Sequence, residues 1–137
     1  MLNFEEKMIC RKVGHIFELA DADYRSVPFA KCWLKSKNVV RLMNYDFNDV
    51  AQSPLYLFEL FIEENDLSRI KKNPYQMADV MFWYGYILTW IIYDDKIQPS
   101  ELEGKYDITS IFESYETLHT TSNEYAVDLI RNEYKLQ

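Results

Sequence analysis

The longest uncharged stretch of the chain lies between Asp79 and the acidic pair that begins at Asp94. From Val80 to Tyr93 it contains no charged residue and no proline, and its apolar side chains fall on every side of a helical wheel. A helix that is apolar on every side is buried in a protein core or in a membrane. About 14 uncharged residues are fewer than the roughly 20 that span a bilayer. The pattern therefore predicts a buried aromatic helix at the centre of a soluble protein.

Two further signals belong to this central helix. Asn73 can cap a helix start, Pro74 fits the first helical position, and Gln76 can complete a capping box. Gly85, in the middle of the helix, costs about 1 kcal/mol relative to alanine. A glycine at such a position predicts that a neighbouring helix approaches closely there.

Helical spacing of apolar positions predicts a first helix from about Phe4 to Ala20. Asn3 can cap this helix, and Glu6 can reach back to complete a capping box. Pro28 suits the first turn of a second helix, which is predicted to reach about Met43. The predicted inward residues of this second helix are Phe29, Cys32, Trp33, Val40 and Met43.

The middle of the chain contains an apolar run whose periodicity leaves its secondary structure open. Residues 55–62 are almost all apolar, and such a short run fits a buried strand as well as a helix. Ser53 as N-cap and Pro54 as first helical residue favour a helix. The preceding residues, 46–52, predict a short helical turn.

Shorter helices are predicted after the central helix. Ser100 and Glu103 form a capping-box pattern for one that breaks near Gly104. Asp107 opens the next, and its apolar stripe consists of Ile108, Ile111, Phe112, Tyr115 and Leu118.

A last helix is predicted to reach about Tyr134, with Thr121 and Glu124 as its capping box. Its predicted buried residues are Tyr125, Leu129 and Ile130. The whole pattern predicts an all-α fold, in which a single domain over residues 1–137 forms a bundle of about six helices around the central buried aromatic helix.

Charge is segregated along the chain. No acidic residue lies between Asp23 and Asp46, and no basic residue lies between Arg41 and Arg69. One interpretation is that these segments are solvated faces with ion pairs between neighbouring helices. The other is that they form a contact surface for a partner protein or a phosphate-bearing ligand. The candidate partner-binding residues are Arg25, Lys31, Lys35, Arg41, Glu59, Glu63 and Glu64.

The overall composition narrows the classes of partner. With 22 acidic and 15 basic residues the net charge is −7, which argues against direct nucleic-acid binding and is compatible with a basic protein partner. The N-terminus lacks a basic region followed by an apolar run, so we expect no signal peptide. Cys10 and Cys32 are expected to be reduced thiols, and the cytoplasm is the expected location.

Motifs for chemistry are sparse. The two histidines and two cysteines have no zinc-site spacing, and three glycines cannot supply a phosphate-binding loop. We therefore predict no catalytic residue, no metal site and no cofactor. The adjacent acids Glu63-Glu64 and Asp94-Asp95 are poor candidates for a shared acid/base site, because sequence neighbours on a helix point apart. They are predicted to be solvated surface residues.

His119 has two possible roles. It can cap or pack at the joint between the last helices, or it can be a polar group of a ligand pocket beside Trp83, Tyr86 and Trp90 of the central helix. These aromatic residues are expected in the core, although some of them could instead form an exposed patch for a partner. His15 is predicted to be a packing or boundary residue beside the apolar stripe of the first helix.

Three stretches, in this order, resemble a known family. They are Arg11–Ala20, Met81–Tyr86, and Ser100–Leu102 followed by Tyr115–Thr120. The family consists of short, uncharacterised helical bacterial proteins encoded in toxin–antitoxin-like loci beside ADP-ribosyltransferase-like toxin candidates. The resemblance implies that the chain binds a protein partner, namely a neighbouring-gene toxin. The family often has an arginine shortly after the Gly-Tyr pair, where this chain has Thr89, and any role of that arginine is in doubt here.

Three hypotheses about function follow. The leading one is a non-enzymatic interaction module, an antitoxin or accessory subunit that binds and masks a partner protein. The second is a phage or mobile-element inhibitor that presents acidic helices to a nucleic-acid-binding protein. The third is a small ligand-binding domain or enzyme with a pocket near His119.

Overall fold

The computed structural model of the chain describes residues 1–70 and 77–136. All regular secondary structure in these two ranges is helical, which confirms the all-α class. The predicted start signal from Asn73 to Gln76 lies outside the described residues. The α-helices are α1 (Phe4–Ala20), α2 (Ser26–Leu34), α3 (Lys37–Met43), α4 (Phe47–Val50), α5 (Pro54–Glu64), α6 (Ala78–Asp95), α7 (Leu102–Lys105), α8 (Ile108–Glu113), α9 (Tyr115–Leu118) and α10 (Asn123–Tyr134).

The described ranges contain more helices than the predicted six or so because two buried serines divide predicted helices. Ser36 Oγ donates to the carbonyl oxygen of Trp33 (2.7 Å) and accepts from the N–H of Val39 (3.3 Å), so it ends α2 and caps α3. Ser114 Oγ donates to the carbonyl oxygen of Ile111 (2.7 Å), where α8 gives way to α9. Serine hydroxyls compete with helical backbone hydrogen bonds in this way.

Three of the predicted N-caps are confirmed. Asn3 and Glu6 form the capping box of α1, with hydrogen bonds of 2.8 and 2.9 Å between side chains and backbone N–H groups. Ser53 and Asp107 each accept the backbone N–H three residues later at 3.1 Å, and they cap α5 and α8. The apolar run over residues 55–62 is therefore helical.

The predicted capping box of Ser100 and Glu103 is wrong by two residues. Gln98 caps a single 3-10 turn, Pro99–Glu101, that leads into α7, and its N–H donates to Oε1 of Glu101 at 2.8 Å. The reason is Pro99, because a proline forces the preceding residue into an extended conformation and itself fits the first helical position.

The predicted cap at Thr121 with Glu124 is also wrong. Thr121 Oγ1 donates to the carbonyl oxygen of Leu118 (2.7 Å), which holds this threonine on the preceding turn. Ser122 has the extended conformation of an N-cap and accepts from the N–H of Tyr125 at 3.2 Å.

The central helix α6 is buried as predicted, and α1 packs against it in the antiparallel direction. At one end the N-terminal amine of Met1 lies 3.5 Å from Oδ1 of Asp94. At the other end Asp21 Oδ2 accepts the N–H of Met77 at 2.8 Å.

No helix within residues 1–70 and 77–136 has both the length and the apolar composition that a membrane span requires.

Two glycines bring the backbones of α1 and α6 close together. A Cβ atom added at Gly85 would lie 2.7 Å from Cγ of Phe17, and one added at Gly14 would lie 2.9 Å from the ring of Phe82. Each helix thus presents a glycine to a phenylalanine of the other. The prediction of a close helix approach at Gly85 is confirmed, and its counterpart at Gly14 was not predicted.

Aromatic rings fill the core on the other side of α1. Phe29 and Trp33 of α2 meet the ring of Phe17 edge to face, with centroids 5.1 and 6.2 Å apart. The remaining predicted inward residues are buried Met43 and half-buried Cys32 and Val40.

Helix α10 docks onto the core through a different set of residues from the predicted one. Its buried residues are Ala126, Val127 and Ile130. Tyr125 is 54% exposed and Leu129 is half-buried, so only Ile130 of the three predicted residues is fully enclosed.

An ion cluster ties α10 to the end of α6. Arg131 Nη2 lies 2.5 Å from Oδ2 of Asp94, and Nε of the same guanidinium donates to Oδ1 of Asp95 at 3.0 Å. Tyr106 donates its hydroxyl proton to Oδ2 of Asp95 at 2.6 Å. The prediction that Asp94 and Asp95 are merely solvated is wrong, because a bidentate guanidinium can reach two neighbouring carboxylates.

Candidate interaction surfaces

The basic residues singled out in the sequence are distributed over several intramolecular contacts. Arg25 donates through Nη2 to the carbonyl oxygen of Arg69 at 3.1 Å. The amine of Lys31 on α2 lies 3.5 Å from the carboxylate of Glu103. The amine of Lys35, just after α2, lies 3.8 Å from the same carboxylate. These lysines are largely exposed, so the pairs are screened by water and weak.

Arg41 links three helices through two acids. Its Nε donates to Oδ2 of buried Asp49 on α4 at 3.2 Å, and its Nη2 donates to Oε1 of Glu64 on α5 at 3.0 Å. Hydrogen bonds from Arg41 and from Asn38 lower the pKa of Glu64. Arg41 and Glu64 are therefore already paired with each other within the fold.

Glu59 and Glu63 differ from Glu64. Both are exposed, and neither forms a hydrogen bond or ion pair with any residue in 1–70 or 77–136. They share the outer surface of α5 with Leu55 and Tyr56, whose side chains are 52% and 48% exposed. We call these four residues the α5 face. It combines large apolar side chains with carboxylates that have no partner in the described part of the chain.

Both histidines of the chain line one open groove of about 380 Å³. His15 and Glu18 reach it from the end of α1, and Asp79 reaches it from the first turn of α6. His15 is thus an exposed boundary residue that meets Phe82 edge to face, with 4.9 Å between the ring centroids. We call this cleft the histidine groove.

Aromatic rings form the wall of the histidine groove. Trp83 meets Tyr115 edge to face at 5.7 Å between centroids. The imidazole of His119 stacks on Tyr115 at 4.1 Å with an angle of 10° between the ring planes. Burial and the nearby charge of Asp79 raise the pKa of Tyr115, so its hydroxyl stays protonated at neutral pH.

Hydrogen bonds define the proton positions on both histidines. Nδ1 of His119 lies 2.7 Å from the carbonyl oxygen of Tyr115, and Nδ1 of His15 lies 3.2 Å from Oε1 of Glu18. Both oxygens can only accept, so Nδ1 carries the proton in each ring. In the neutral imidazole Nε2 is then left as an acceptor.

The four candidate pocket residues do not come together in one site. Trp83 and His119 line the histidine groove, whereas Tyr86 and Trp90 lie farther along α6. The rings of Tyr86 and Trp90 contact each other one turn apart, with centroids separated by 6.0 Å and a tilt of 33°. Nζ of Lys7 lies 5.6 Å from the centroid of the Trp90 ring. The spacing of four residues puts these two rings on one stripe of the helix that leads away from the groove.

Sequence reasoning did not find the acidic side of the groove. Glu18, Asp79 and His15 are ordinary polar residues near helix ends, two of them exposed and Glu18 half-buried. His15 and Asp79 are 64 positions apart in the chain, so only the α1–α6 packing brings them together.

The described residues contain no group of three or more His, Cys, Asp and Glu side chains that could hold a metal ion. Cys10 and Cys32 are free thiols. Burial, with a smaller contribution from Glu6, raises the pKa of Cys10 far above its ordinary range, so this thiol stays protonated.

Comparisons with known proteins found no relative from which a role could be transferred. No protein-family model matches the chain, no curated protein matches it, and no solved structure matches it.

Proposed function

We propose that the chain is a non-enzymatic interaction module that binds a basic protein partner and masks part of its surface. The observation that carries this proposal is the α5 face. Its carboxylates Glu59 and Glu63 have no partner in the described ranges, and Leu55 and Tyr56 beside them expose large apolar areas. Tyrosine is enriched at protein interfaces, where a polar rim surrounds an apolar centre.

The charge of the whole chain supports a basic partner. A net charge of −7 attracts a basic surface at long range, and the two carboxylates on α5 supply the local contacts. Arg41 and Glu64 are part of the same proposal as internal supports, because their ion pair braces the C-terminal end of α5 against α3.

The family resemblance supplies the identity of the partner within this proposal. The partner is the product of a neighbouring gene, a toxin of the ADP-ribosyltransferase-like kind, and the chain acts as its antitoxin or accessory subunit. We place the complex in the cytoplasm, where free thiols such as Cys10 and Cys32 persist.

Co-expression with each neighbouring gene product tests the proposal. We expect one of them to co-purify with the chain and to lose its toxicity in cells. The double charge reversal Glu59→Lys with Glu63→Lys should abolish both effects, and binding by the unaltered chain should weaken as salt rises. The matched control is Glu113→Lys with Glu133→Lys, which makes the same charge change at exposed sites on α8 and α10.

Two results would contradict the proposal. One is that no neighbouring product binds or is neutralised. The other is that the α5 reversal binds as well as the control while circular dichroism shows that both variants are folded.

A second candidate function uses the same face. The unpaired carboxylates of α5 would also suit a phage or mobile-element inhibitor that occupies the basic surface of a nucleic-acid-binding protein. In that case DNA or RNA should compete with the chain for the partner, whereas a toxin with no nucleic-acid site should be insensitive to such competition.

A further inference from the structure

We propose that the histidine groove binds an arginine side chain presented by a peptide segment of a partner protein. This site is separate from the proposed α5 interface, because α1, α6 and α9 build it and none of them contributes to the α5 face. The argument rests on three properties of the groove: its charge, its hydrogen-bonding groups and its aromatic wall.

The charged groups that line the groove are acidic. Among the described residues that line it, Glu18 and Asp79 carry carboxylates; Asp79 is exposed and Glu18 is half-buried. Asp79 forms no ion pair with any residue in 1–70 or 77–136, and Glu18 is paired only with the imidazole of His15 there. A ligand that enters between the two carboxylates is therefore expected to be a cation.

The hydrogen-bonding groups are mostly acceptors. The carboxylates of Glu18 and Asp79 accept only, and Nε2 of neutral His15 and His119 is an acceptor because Nδ1 carries the proton. A guanidinium offers five N–H donors and no acceptor, in a planar fork that matches carboxylates. A lysine ammonium offers three donors from a single point and matches this spread of acceptors less well.

The aromatic wall suits a flat cation. Phe82, Trp83 and Tyr115 line the groove, and guanidinium groups stack on aromatic rings. A volume of about 380 Å³ in an open cleft admits one side chain that projects from a larger partner. These features together select arginine over other cationic groups.

Nuclear magnetic resonance titration with three short blocked peptides tests this inference. The peptides are Gly-Arg-Gly, its lysine counterpart and its citrulline counterpart, which keeps the shape of arginine without the charge. We expect the arginine peptide to shift the imidazole signals of both histidines and the indole signal of Trp83 saturably. The citrulline peptide should bind roughly tenfold more weakly because it lacks the cation–π and ionic contacts, and lysine should fall between them.

Charge-neutralising variants at half-buried Glu18 and exposed Asp79 complete the test. Glu18→Gln with Asp79→Asn should weaken arginine binding several-fold, and Glu113→Gln, an exposed acid on α8 outside the groove, should leave it unchanged. Equal binding of arginine and citrulline, no shift at His119 and Trp83, or full binding by the double variant would each overturn the inference. The Glu59→Lys, Glu63→Lys variant should retain arginine binding, so failure of the α5 proposal and failure of this one are distinguishable.

Discussion

Gly85 of α6 lies directly against Phe17 of α1, so that a Cβ atom at position 85 would come within 2.7 Å of Cγ of the phenylalanine. Phe17 is fully buried and packs against rings on its other side, so it has no room to retreat. This contact sets the distance between the two longest helices of the described ranges.

Gly85→Ala is therefore expected to destabilise the protein by about 1–3 kcal/mol through overpacking, although alanine is the better helix former by about 1 kcal/mol. The free energy of unfolding in urea measures the effect. Gly104→Ala is the matched control, because nothing lies within 4 Å of a Cβ there, and its stability should be unchanged or slightly higher. Equal stability of both variants would show that α1 can move away from α6 at little cost.

The α1–α6 contact also shows how far the sequence predicts this fold. Gly85 was recognisable as a crossing point because glycine is unfavourable in a helix interior and is typical of a close helix–helix approach. Its partner Phe17, 68 positions away, was not recognisable, because any apolar residue of the first helix could have met it. Local signals such as the Asn3 and Glu6 capping box were predicted correctly, since their atoms lie within one turn.

The other misses have two origins, one local and one in long-range packing. Ser36 divides a predicted helix because its hydroxyl bonds the backbone, and a single serine in a pattern gives no sign of this choice. The histidine groove joins His15, Asp79 and His119 from three distant segments, so only packing reveals it. The ion cluster of Arg131 with Asp94 joins residues 37 positions apart.

The serine that separates α2 from α3 offers a second test. Ser36→Ala removes the N-cap of α3 and the bond to the carbonyl oxygen of Trp33. We expect a loss of about 1–2 kcal/mol in the free energy of unfolding. Ser100→Ala is a suitable control, because Ser100 is exposed and does not cap a helix. A loss no greater than that of the control would mean that α3 is held by its apolar contacts alone.

The ion pair of Arg131 with Asp94 should make the free energy of unfolding depend on pH in the acidic range. Burial alone would raise the pKa of Asp94, but the hydrogen bond and charge of Arg131 outweigh it, so the pKa is lowered in the folded state. A lowered carboxyl pKa adds stability above the unfolded value of about 3.9, and this stability is lost as the pH falls through the folded value.

Arg131→Gln is therefore expected to cost about 1–3 kcal/mol near pH 7, because two carboxylates lose the charge of the guanidinium in a partly exposed site. The difference from the unaltered chain should shrink as the pH falls below about 4. Urea unfolding at several pH values measures it, with Asp128→Asn as control, since Asp128 is 72% exposed and 3.6 Å from the guanidinium. A difference that stays constant with pH would contradict the role given to the Asp94 pair.

Tyr106 provides the corresponding test in alkali. Burial and the hydrogen bond to Asp95 raise its pKa to about 12. A raised tyrosine pKa contributes stability that is complete below the unfolded value of about 10 and is lost as the pH rises through the folded value. Tyr106→Phe should lower stability at pH 7 by about 1 kcal/mol through the lost hydrogen bond and should reduce the further loss above pH 10. In an absorbance titration at alkaline pH, the variant should lose one tyrosine that ionises well above pH 10. An unchanged titration would contradict the raised pKa of Tyr106.

Substitution of His119 tests whether this residue stabilises the fold or binds the arginine peptide. His119→Phe keeps a flat ring against Tyr115 but removes both the Nδ1–H donor and the Nε2 acceptor. Because the residue is exposed, we expect the free energy of unfolding to change by less than about 1 kcal/mol. Binding of the arginine peptide should nevertheless weaken several-fold, since the groove loses one acceptor. The opposite result is a clearly lower melting temperature with unchanged peptide binding. In that case His119 only stabilises the end of α9, and the acceptors of the groove are His15, Glu18 and Asp79.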